Sequence, residues 1–201
     1  QLETPVIDVM AGQMQDLFGW GGKGFFPNTL AFQGITGQVY HRQTAVRLSK
    51  TVRPGGLQLE TAVAAARPVQ RASGLPEGQG GIRLALPAWS TVRAQGYARP
   101  SLGALSLGVS GVARRLEVAE FLEYPGASQK AVGWGFVVNG FIPIIPVTNV
   151  RDRRNALSIV GEFSTGTGTS DLYTELTGGA LFPTLTNPQD RQQPTNPPPV
   201  Y

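Results

Sequence analysis

The sequence predicts an all-β fold: an antiparallel transmembrane β-barrel, or a portion of one, with about seven strands. Seven segments alternate apolar and polar residues, so each would have one apolar and one polar face, since successive strand side chains point to opposite faces. The apolar faces carry almost no charge. The connections between the segments are alternately short and long, as in outer-membrane barrels with short turns and long loops.

The composition favours strands and turns over long helices. The chain has 201 residues, including 26 Gly and 16 Pro, and only 15% of its residues are charged. Because it contains no Cys, disulfides and thiolate metal sites are excluded. Residues 1–5 contain neither an initiator Met nor a basic-then-apolar signal, so we expect either a removed signal or an internal fragment.

The first two predicted strands are Val6–Gly12 and Gly37–Thr51, separated by a long loop rich in Gly and aromatic residues. In the first strand one face is apolar and the other is more polar. In the second strand Val46 and Leu48 share the apolar face. The opposite face of that strand is predicted to hold His41, Gln43, Arg47 and Ser49.

A compact turn signal at residues 53–56 leads to the third and fourth predicted strands, Leu57–Ala66 and Gly81–Gln95. The fourth strand alternates clearly over Ile82-Arg83-Leu84-Ala85-Leu86. Pro87 then interrupts it. Because proline has no backbone N–H to donate, it predicts an edge, a bulge or local unpairing at that point.

The remaining strands are predicted at Leu102–Val118, at a segment ending near Pro143, and at Ala156–Thr165. Residues 131–150 carry no formal charge and are long enough for a membrane helix. Their period of two, with aromatic and β-branched residues, favours a strand instead. Residues 1–180 are therefore assigned to barrel strands and loops, and residues 181–201 to a Pro-rich loop or disordered tail.

The predicted outward-facing band contains the apolar residues that share parity in their strands. Its members are Leu57, Leu59, Leu84, Leu105, Leu107, Val109, Trp134, Phe136 and Ile159. Seven strands cannot close a bacterial barrel of even strand number. An open edge in lipid would leave backbone groups unpaired at a cost of several kcal/mol each. We therefore expect either further strands or an edge that pairs with another chain.

Several short motifs occur in order along the chain. They are Gly12-Gln13, Asp16-Leu17-Phe18-Gly19, Phe25-Phe26-Pro27-Asn28-Thr29-Leu30, Tyr40-His41-Arg42-Gln43 with Val46-Arg47-Leu48, Leu107-Gly108-Val109-Ser110-Gly111, Gly161-Glu162-Phe163, Gly166-Thr167-Gly168 and Leu172-Tyr173. In this order they resemble large Gram-negative porins of the trimeric dicarboxylate-channel type. The resemblance implies the central portion of a 16-stranded barrel, a trimer and a location in the bacterial outer membrane.

The candidate pore-lining residues are the charged residues that share the polar parity of their strands, together with the single histidine. They are His41, Arg47, Arg83, Arg93, Arg114, Asp8 and Glu60. A set of lumen arginines favours anions electrostatically. The alternative is that acids such as Asp8 and Glu60 neutralise these arginines, which then support the wall. His41 is either a hydrogen-bonded wall residue or a group that titrates near neutral pH.

Other classes of function find little support in the sequence. The net charge of +4 comes from 14 Arg and 3 Lys that are scattered along the chain, which argues against nucleic-acid binding. A single His gives no metal cluster, and no nucleophile elbow or dinucleotide motif is present. We therefore predict that the protein is not an enzyme and uses no cofactor or metal.

The sequence favours a channel for passive diffusion of small polar or anionic solutes, with outer-membrane lipid as its surroundings. The first alternative is a non-conducting structural or adhesive outer-membrane barrel, or a barrel subunit of a larger assembly. The second alternative is a soluble all-β binding module. Each would use the same alternating strands.

Overall fold

The computed structural model describes residues 1–19, 41–68, 74–95, 98–119, 128–152 and 155–173, and at residues 93–95, 98–100, 118–119 and 128–129 it describes the backbone alone. This part of the chain is all-β. Its strands are β1 (Asp8–Gln15), β2 (Arg42–Val52), β3 (Gln58–Ala66), β4 (Glu77–Gln95), β5 (Ala98–Ala119), β6 (Ser128–Ile145) and β7 (Leu157–Thr167). Two single 3₁₀ turns, Pro54–Gly56 and Ser170–Leu172, complete the regular structure.

The seven strands form one antiparallel sheet in the order β1-β2-β3-β4-β5-β6-β7. Each strand pairs with its neighbours in sequence, as expected when turns and loops join successive strands directly. Within the described residues β1 and β7 have one strand neighbour each, and the sheet does not close. Leu2 folds back on Val9, and two backbone N···O hydrogen bonds of 2.8 Å protect one position of the β1 edge.

All seven predicted strands are confirmed, with shifted ends. The largest shift that bears on the site is in β4, which begins at Glu77 and not at Gly81. Most of the segment 131–150 belongs to β6, so the strand interpretation of that stretch is confirmed. Where the structure is described, no helix has both the length and the apolar character needed to cross a membrane. The predicted tail, 181–201, lies outside the described residues.

The predicted rhythm of short and long connections holds only in part. The connection 53–57 between β2 and β3 is short, and the connection 16–41 between β1 and β2 is long. However, the connection 146–156 between β6 and β7 is longer than the connection 120–127 between β5 and β6. The predicted alternation was therefore wrong for the last two connections, and β6 ends at Ile145, two residues beyond its predicted end near Pro143.

Pro87 lies at a break in the ladder, as its missing N–H predicts. Leu86 pairs with Leu105 and Ser90 pairs with the next β5 residue, Ala104, so residues 87–89 have no β5 partner. Beyond this register shift the end of β4 contacts the end of β6. The Trp89 indole N–H donates to the Pro143 carbonyl at 3.0 Å.

The outer face of the sheet is the face that carries large exposed apolar side chains. Its members include Val46, Leu48, Val63, Ile82, Leu84, Leu107, Val109, Trp134, Phe136, Ile142, Ile159 and Phe163. Of the predicted outward band, Leu59 and Leu105 share this face by register and are half-buried. Leu57 lies just before β3 and is exposed. The predicted parity is therefore confirmed.

The inner face is the opposite face, and two short segments cover part of it. We call residues 16–19, which follow β1, and residues 169–173, which follow β7, the inward segments. Three buried apolar clusters lie beneath or beside them, containing Phe18, Val112, Val137 and Leu172, then Met14, Ala45 and Ala66, and finally Leu17 and Ala62. The packed core of the described chain thus lies on the inner face.

Candidate functional site

The inner face combines polar and charged side chains with small ones. Its buried polar members are Gln43, Ser49, Glu60, Glu77, Gln79, Arg83, Ser106, Ser110, Arg114 and Asn139. They alternate along the strands with the exposed apolar residues of the outer face. This is the reverse of a water-soluble sheet, whose apolar side chains face the core and whose polar side chains face water.

Arg114 lies at the centre of an ion-pair cluster. Its Nη1 and Nη2 bind the two carboxylate oxygens of Asp171 at 2.6 and 2.8 Å. Its Nε lies 3.2 Å from Oε2 of Glu77. The Arg114 and Glu77 side chains are 0% exposed and the Asp171 side chain is 8% exposed. Three sequence-distant elements therefore meet in one buried, charge-assisted network.

Two glutamine side chains complete the environment of Glu77. The amides of Gln43 on β2 and Gln79 on β4 both donate to Oε1 of Glu77, the latter at 2.6 Å. The side-chain Oε1 of Gln79 accepts a hydrogen bond from the backbone N–H of Leu17 at 2.6 Å. The glutamines thus connect the ion-pair cluster to the first inward segment, because a side-chain amide both donates and accepts.

Arg83 and Glu60 form a second ion pair across β3 and β4, where the ladder places them directly opposite each other. The distance from Arg83 Nη1 to Glu60 Oε1 is 3.3 Å, and both side chains are nearly buried. Gln58 also donates to Glu60. Arg83 is therefore paired with an acid of the same face, the arrangement that the alternative interpretation of the arginines expects.

His41 and Asp16 join the two ends of the long connection between β1 and β2. The Asp16 N–H donates to the His41 carbonyl at 3.1 Å, and His41 Nδ1 lies 3.2 Å from Oδ2 of Asp16. Burial acts to lower the pKa of His41, but the hydrogen bond to Asp16 and the charges of Asp16, Asp171 and Glu77 outweigh it. The pKa of His41 is therefore raised, and the protonated ring strengthens the link.

The inward segments meet over β4, β5 and β6. The Gly19 N–H donates to Oγ of Ser110 at 3.0 Å. Phe18 packs in a buried cluster with Leu172, and its ring makes an edge-on contact with Tyr173 at 6.0 Å between centroids. The close approach depends on Gly135, where a Cβ would lie 2.9 Å from the Phe18 ring. The chain leaving each edge strand thus fills the middle of the inner face.

Arg47 differs from the other inner-face arginines whose side chains are described. Its Nη2 contacts Sδ of Met10 at 3.5 Å, and its buried Nε has no hydrogen-bond partner. In the described ranges no carboxylate lies within ion-pair distance of Arg47. It therefore carries a charge that no acidic side chain of the described residues balances.

The other two predicted residues lie apart from these groups. Asp8 lies on β1 opposite Ser49, at the edge of the sheet. Arg93 lies on β4 opposite Ser101, beyond the register shift at Pro87, and its side chain is outside the described part. The structure therefore brings Arg83 together with Glu60 and leaves Arg47, Arg114 and His41 in three separate settings.

Sequence reasoning missed Glu77, Gln79, Gln43, Asp16 and Asp171 as functional positions. Glu77 and Gln79 share the odd parity of Arg83 along β4, which is a usable signal once the strand is extended toward its N-terminal end. Asp171 gave no local signal, because it reaches Arg114 from a single 3₁₀ turn beyond β7.

Comparisons with known proteins add no assignment: no family model, no curated protein and no solved structure matches this chain. In the described residues no group of three His, Cys, Asp or Glu side chains is arranged to hold a metal ion. The candidate site is therefore the inner face, characterised by its ion pairs, its inward segments and Arg47.

Proposed function

We propose that this chain forms part of the wall of an outer-membrane β-barrel that lets small polar or anionic solutes diffuse passively. The observation that carries the proposal is the reversed polarity of the sheet. Large apolar side chains on the outer face are exposed, such as Leu107 at 60% and Phe163 at 62%, whereas charged side chains on the inner face are buried. A contiguous apolar surface of this kind needs a partner or a lipid environment.

The height of the apolar band supports a membrane. Ten residue steps separate Trp134 from Ile144 on β6, which corresponds to about 34 Å of strand at ~3.4 Å per residue. A tilt of about 45° reduces this length to about 24 Å along the membrane normal. That value is close to the ~25 Å apolar band of outer-membrane barrels. Trp134 and Trp89 lie near opposite ends of the band, as aromatic girdles do.

The two edges of the sheet support a larger barrel. Strand edges in lipid leave N–H and C=O groups unpaired, so β1 and β7 need further strands beside them. A barrel with well over eight strands encloses a water-filled lumen, whereas an eight-stranded one is filled by its own side chains. Under this proposal the inner face is one side of an aqueous lumen, and the inward segments narrow it.

A specific observation also favours the second candidate, a barrel that does not conduct. Arg83 and Arg114 are paired with carboxylates, and Phe18, Leu172 and Tyr173 pack over the middle of the inner face. Paired charges and a filled interior are what a structural barrel requires. The same contacts serve a channel only if the lumen remains open beside the inward segments.

Membrane extraction and single-channel recording separate these candidates. We expect the protein to fractionate with outer membranes, to need detergent for solubility, and to give discrete current steps in planar bilayers. Solubility without detergent would contradict a membrane location and favour a soluble binding module. Insertion without current would support the non-conducting barrel. Leu107→Arg is the matched control, because a charge in the apolar band should prevent insertion and abolish the current together.

A further inference from the structure

The inner-face arginines whose side chains are described differ in their ion-pair partners. Arg83 lies 3.3 Å from Glu60, and Arg114 binds Asp171 bidentately with Glu77 at 3.2 Å. Both guanidinium groups are therefore neutralised locally, and the Nε, Nη1 and Nη2 groups of Arg114 all lie against carboxylates. A mobile anion would have to displace a fixed carboxylate to bind Arg114.

Among the described residues, no carboxylate pairs with Arg47. Its Nη2 makes a long contact to the Met10 thioether, an uncharged and weak acceptor. Its Nε is buried without a hydrogen bond. Across the described chain the nearest acidic position by register is Asp8, opposite Ser49, and no ion pair joins Asp8 to Arg47.

The described neighbours of Arg47 on β2 and β3 have small side chains. Across the ladder Arg47 lies between Met10 on β1 and Ala64 on β3. Along β2 the residues of the same face are Ala45 and Ser49. Small side chains therefore surround the charge on β2 and β3. Its position near the β1 edge also lies away from the Phe18–Leu172 cluster, which packs against β5 and β6.

We propose that Arg47 is the anion-binding residue of the inner face and determines the charge selectivity of the channel. The ligand class is an oxyanion with at least two oxygens, such as a carboxylate or sulfate, since a planar guanidinium group binds two oxygens side by side. This inference rests on the proposed channel function. Among the three inner-face arginines whose side chains are described, Arg47, Arg83 and Arg114, it assigns the selectivity to Arg47.

Reversal potentials in a potassium chloride gradient test the assignment. Arg47→Gln should lower the anion-to-cation permeability ratio about sevenfold at low salt, because one unit charge roughly 7 Å away in water changes the occupancy of an anion and of a cation about 2.7-fold each, in opposite directions. The shift should shrink at ~1 M salt, where the Debye length is about 3 Å. Arg47→Lys should keep most of the preference because the charge remains. Arg53→Gln, which removes an exposed charge from the 3₁₀ turn region, is the matched control and should leave the ratio unchanged.

A second measurement does not require current. Phenylglyoxal modifies accessible guanidinium groups, and mass spectrometry of the detergent-purified protein locates the modified residues. We expect Arg47 to react and sodium sulfate to protect it, whereas Arg83 and Arg114 stay unmodified. Exposed arginines such as Arg53 should react equally with and without sulfate.

The outcomes separate this inference from the channel proposal. Current with an unchanged permeability ratio in Arg47→Gln overturns the role of Arg47 and leaves the channel standing. Absence of current in the wild type overturns the channel, and the sulfate protection then decides whether Arg47 binds anions. If Arg47→Gln fails to assemble, the labelling of the wild type remains decisive: an unprotected Arg47 overturns the proposal.

Discussion

Arg114 and Arg47 are the same residue on the same face of one sheet, yet their surroundings are opposite. Arg114, on β5, is fully buried beneath the inward segments and contacts two carboxylates. Arg47, on β2, is half-buried and has no ion pair in the described part of the chain. Parity along a strand therefore places a charge on a face, whereas chain segments outside the strands decide whether that charge is neutralised.

The physical reason is solvent. A covered charge needs a partner, because its desolvation costs several kcal/mol that only a close opposite charge and hydrogen bonds offset. The inward segments both exclude water from Arg114 and supply Asp171. Beside Arg47 the described neighbours on β2 and β3 are small and Met10 on β1 is uncharged, so we expect water or a solute ion to interact with the guanidinium group.

The largest expected effect is at Arg114, which lies beneath the inward segments. Arg114→Gln leaves Glu77 and Asp171 buried without their cation, and should lower the free energy of unfolding in detergent micelles by about 3–5 kcal/mol. Urea unfolding followed by near-UV circular dichroism measures it. The adjacent exposed residue gives the control: Arg115→Gln should stay within about 0.5 kcal/mol of wild type. A cost below ~1 kcal/mol at Arg114 would mean that water reaches the cluster.

The next largest effect concerns the outer face, where the cost of an introduced charge should depend on its depth in the membrane. Leu107 lies near the middle of the outer apolar band, opposite Leu84 and Gly140, and is exposed. Leu107→Arg should cost about 2–4 kcal/mol on membrane insertion, whereas Thr167→Arg at the end of β7 should cost about 0–1. Folding into lipid vesicles followed by heat-resistant gel mobility compares the two variants. Equal costs at both depths would argue against a lipid-facing outer surface.

A smaller change tests how the first inward segment packs on the sheet. Gly135→Ala places a methyl group 2.9 Å from the Phe18 ring, whereas nothing lies within 4 Å of a Cβ at Gly161. Gly135→Ala should therefore cost about 1–3 kcal/mol, and Gly161→Ala should be neutral. The cost of Gly135→Ala should fall in a Phe18→Ala background, which a double-mutant cycle of unfolding free energies measures. Additive effects would mean that Phe18 does not pack there.

The smallest effect is a pH dependence of stability that comes from the contact between His41 and Asp16. Because the folded-state pKa of His41 is raised, the stabilisation is full below the unfolded value of 6.5 and is lost as pH rises through the folded pKa. Unfolding free energy should thus be greater near pH 6 than near pH 9, by less than ~1 kcal/mol for this partly exposed pair. Both His41→Gln and Asp16→Asn should remove the difference, and its persistence in either variant would assign it to another group.

Much of the fold could be predicted because alternation is a local property. Val46 and Leu48, or Leu107 and Val109, alternate with polar or small residues, so both their strand and their face follow from the sequence. The start of β4 could not be found this way. Its outer positions are Gly78 and Gly80, which have no side chain to mark an apolar face.

The site was less predictable, because its partners come from segments without periodicity. Glu60 could be named beside Arg83, since both lie on alternating strands. Asp171 reaches Arg114 across 57 positions of sequence, and the geometry depends on the path of the chain after β7. That path is set by packing of Leu172 on Phe18, which no local pattern encodes.

Because of the register shift at Pro87, the strands of the sheet should differ in how easily they separate from it. Past the shift β4 binds the end of β6 directly: the Thr91 hydroxyl donates to the Ile145 carbonyl at 2.8 Å, and the Val147 N–H donates to the Ser90 carbonyl at 2.8 Å. If β7 separates from the sheet, β6 is therefore still held by two strands, by β5 as far as Phe141 and by β4 at Pro143 and Ile145. We expect fraying to stop at β6, so that amide protons near Val147 exchange more slowly than those of β7. The β6–β7 pair should open first at its other end, near Trp134 and Thr167.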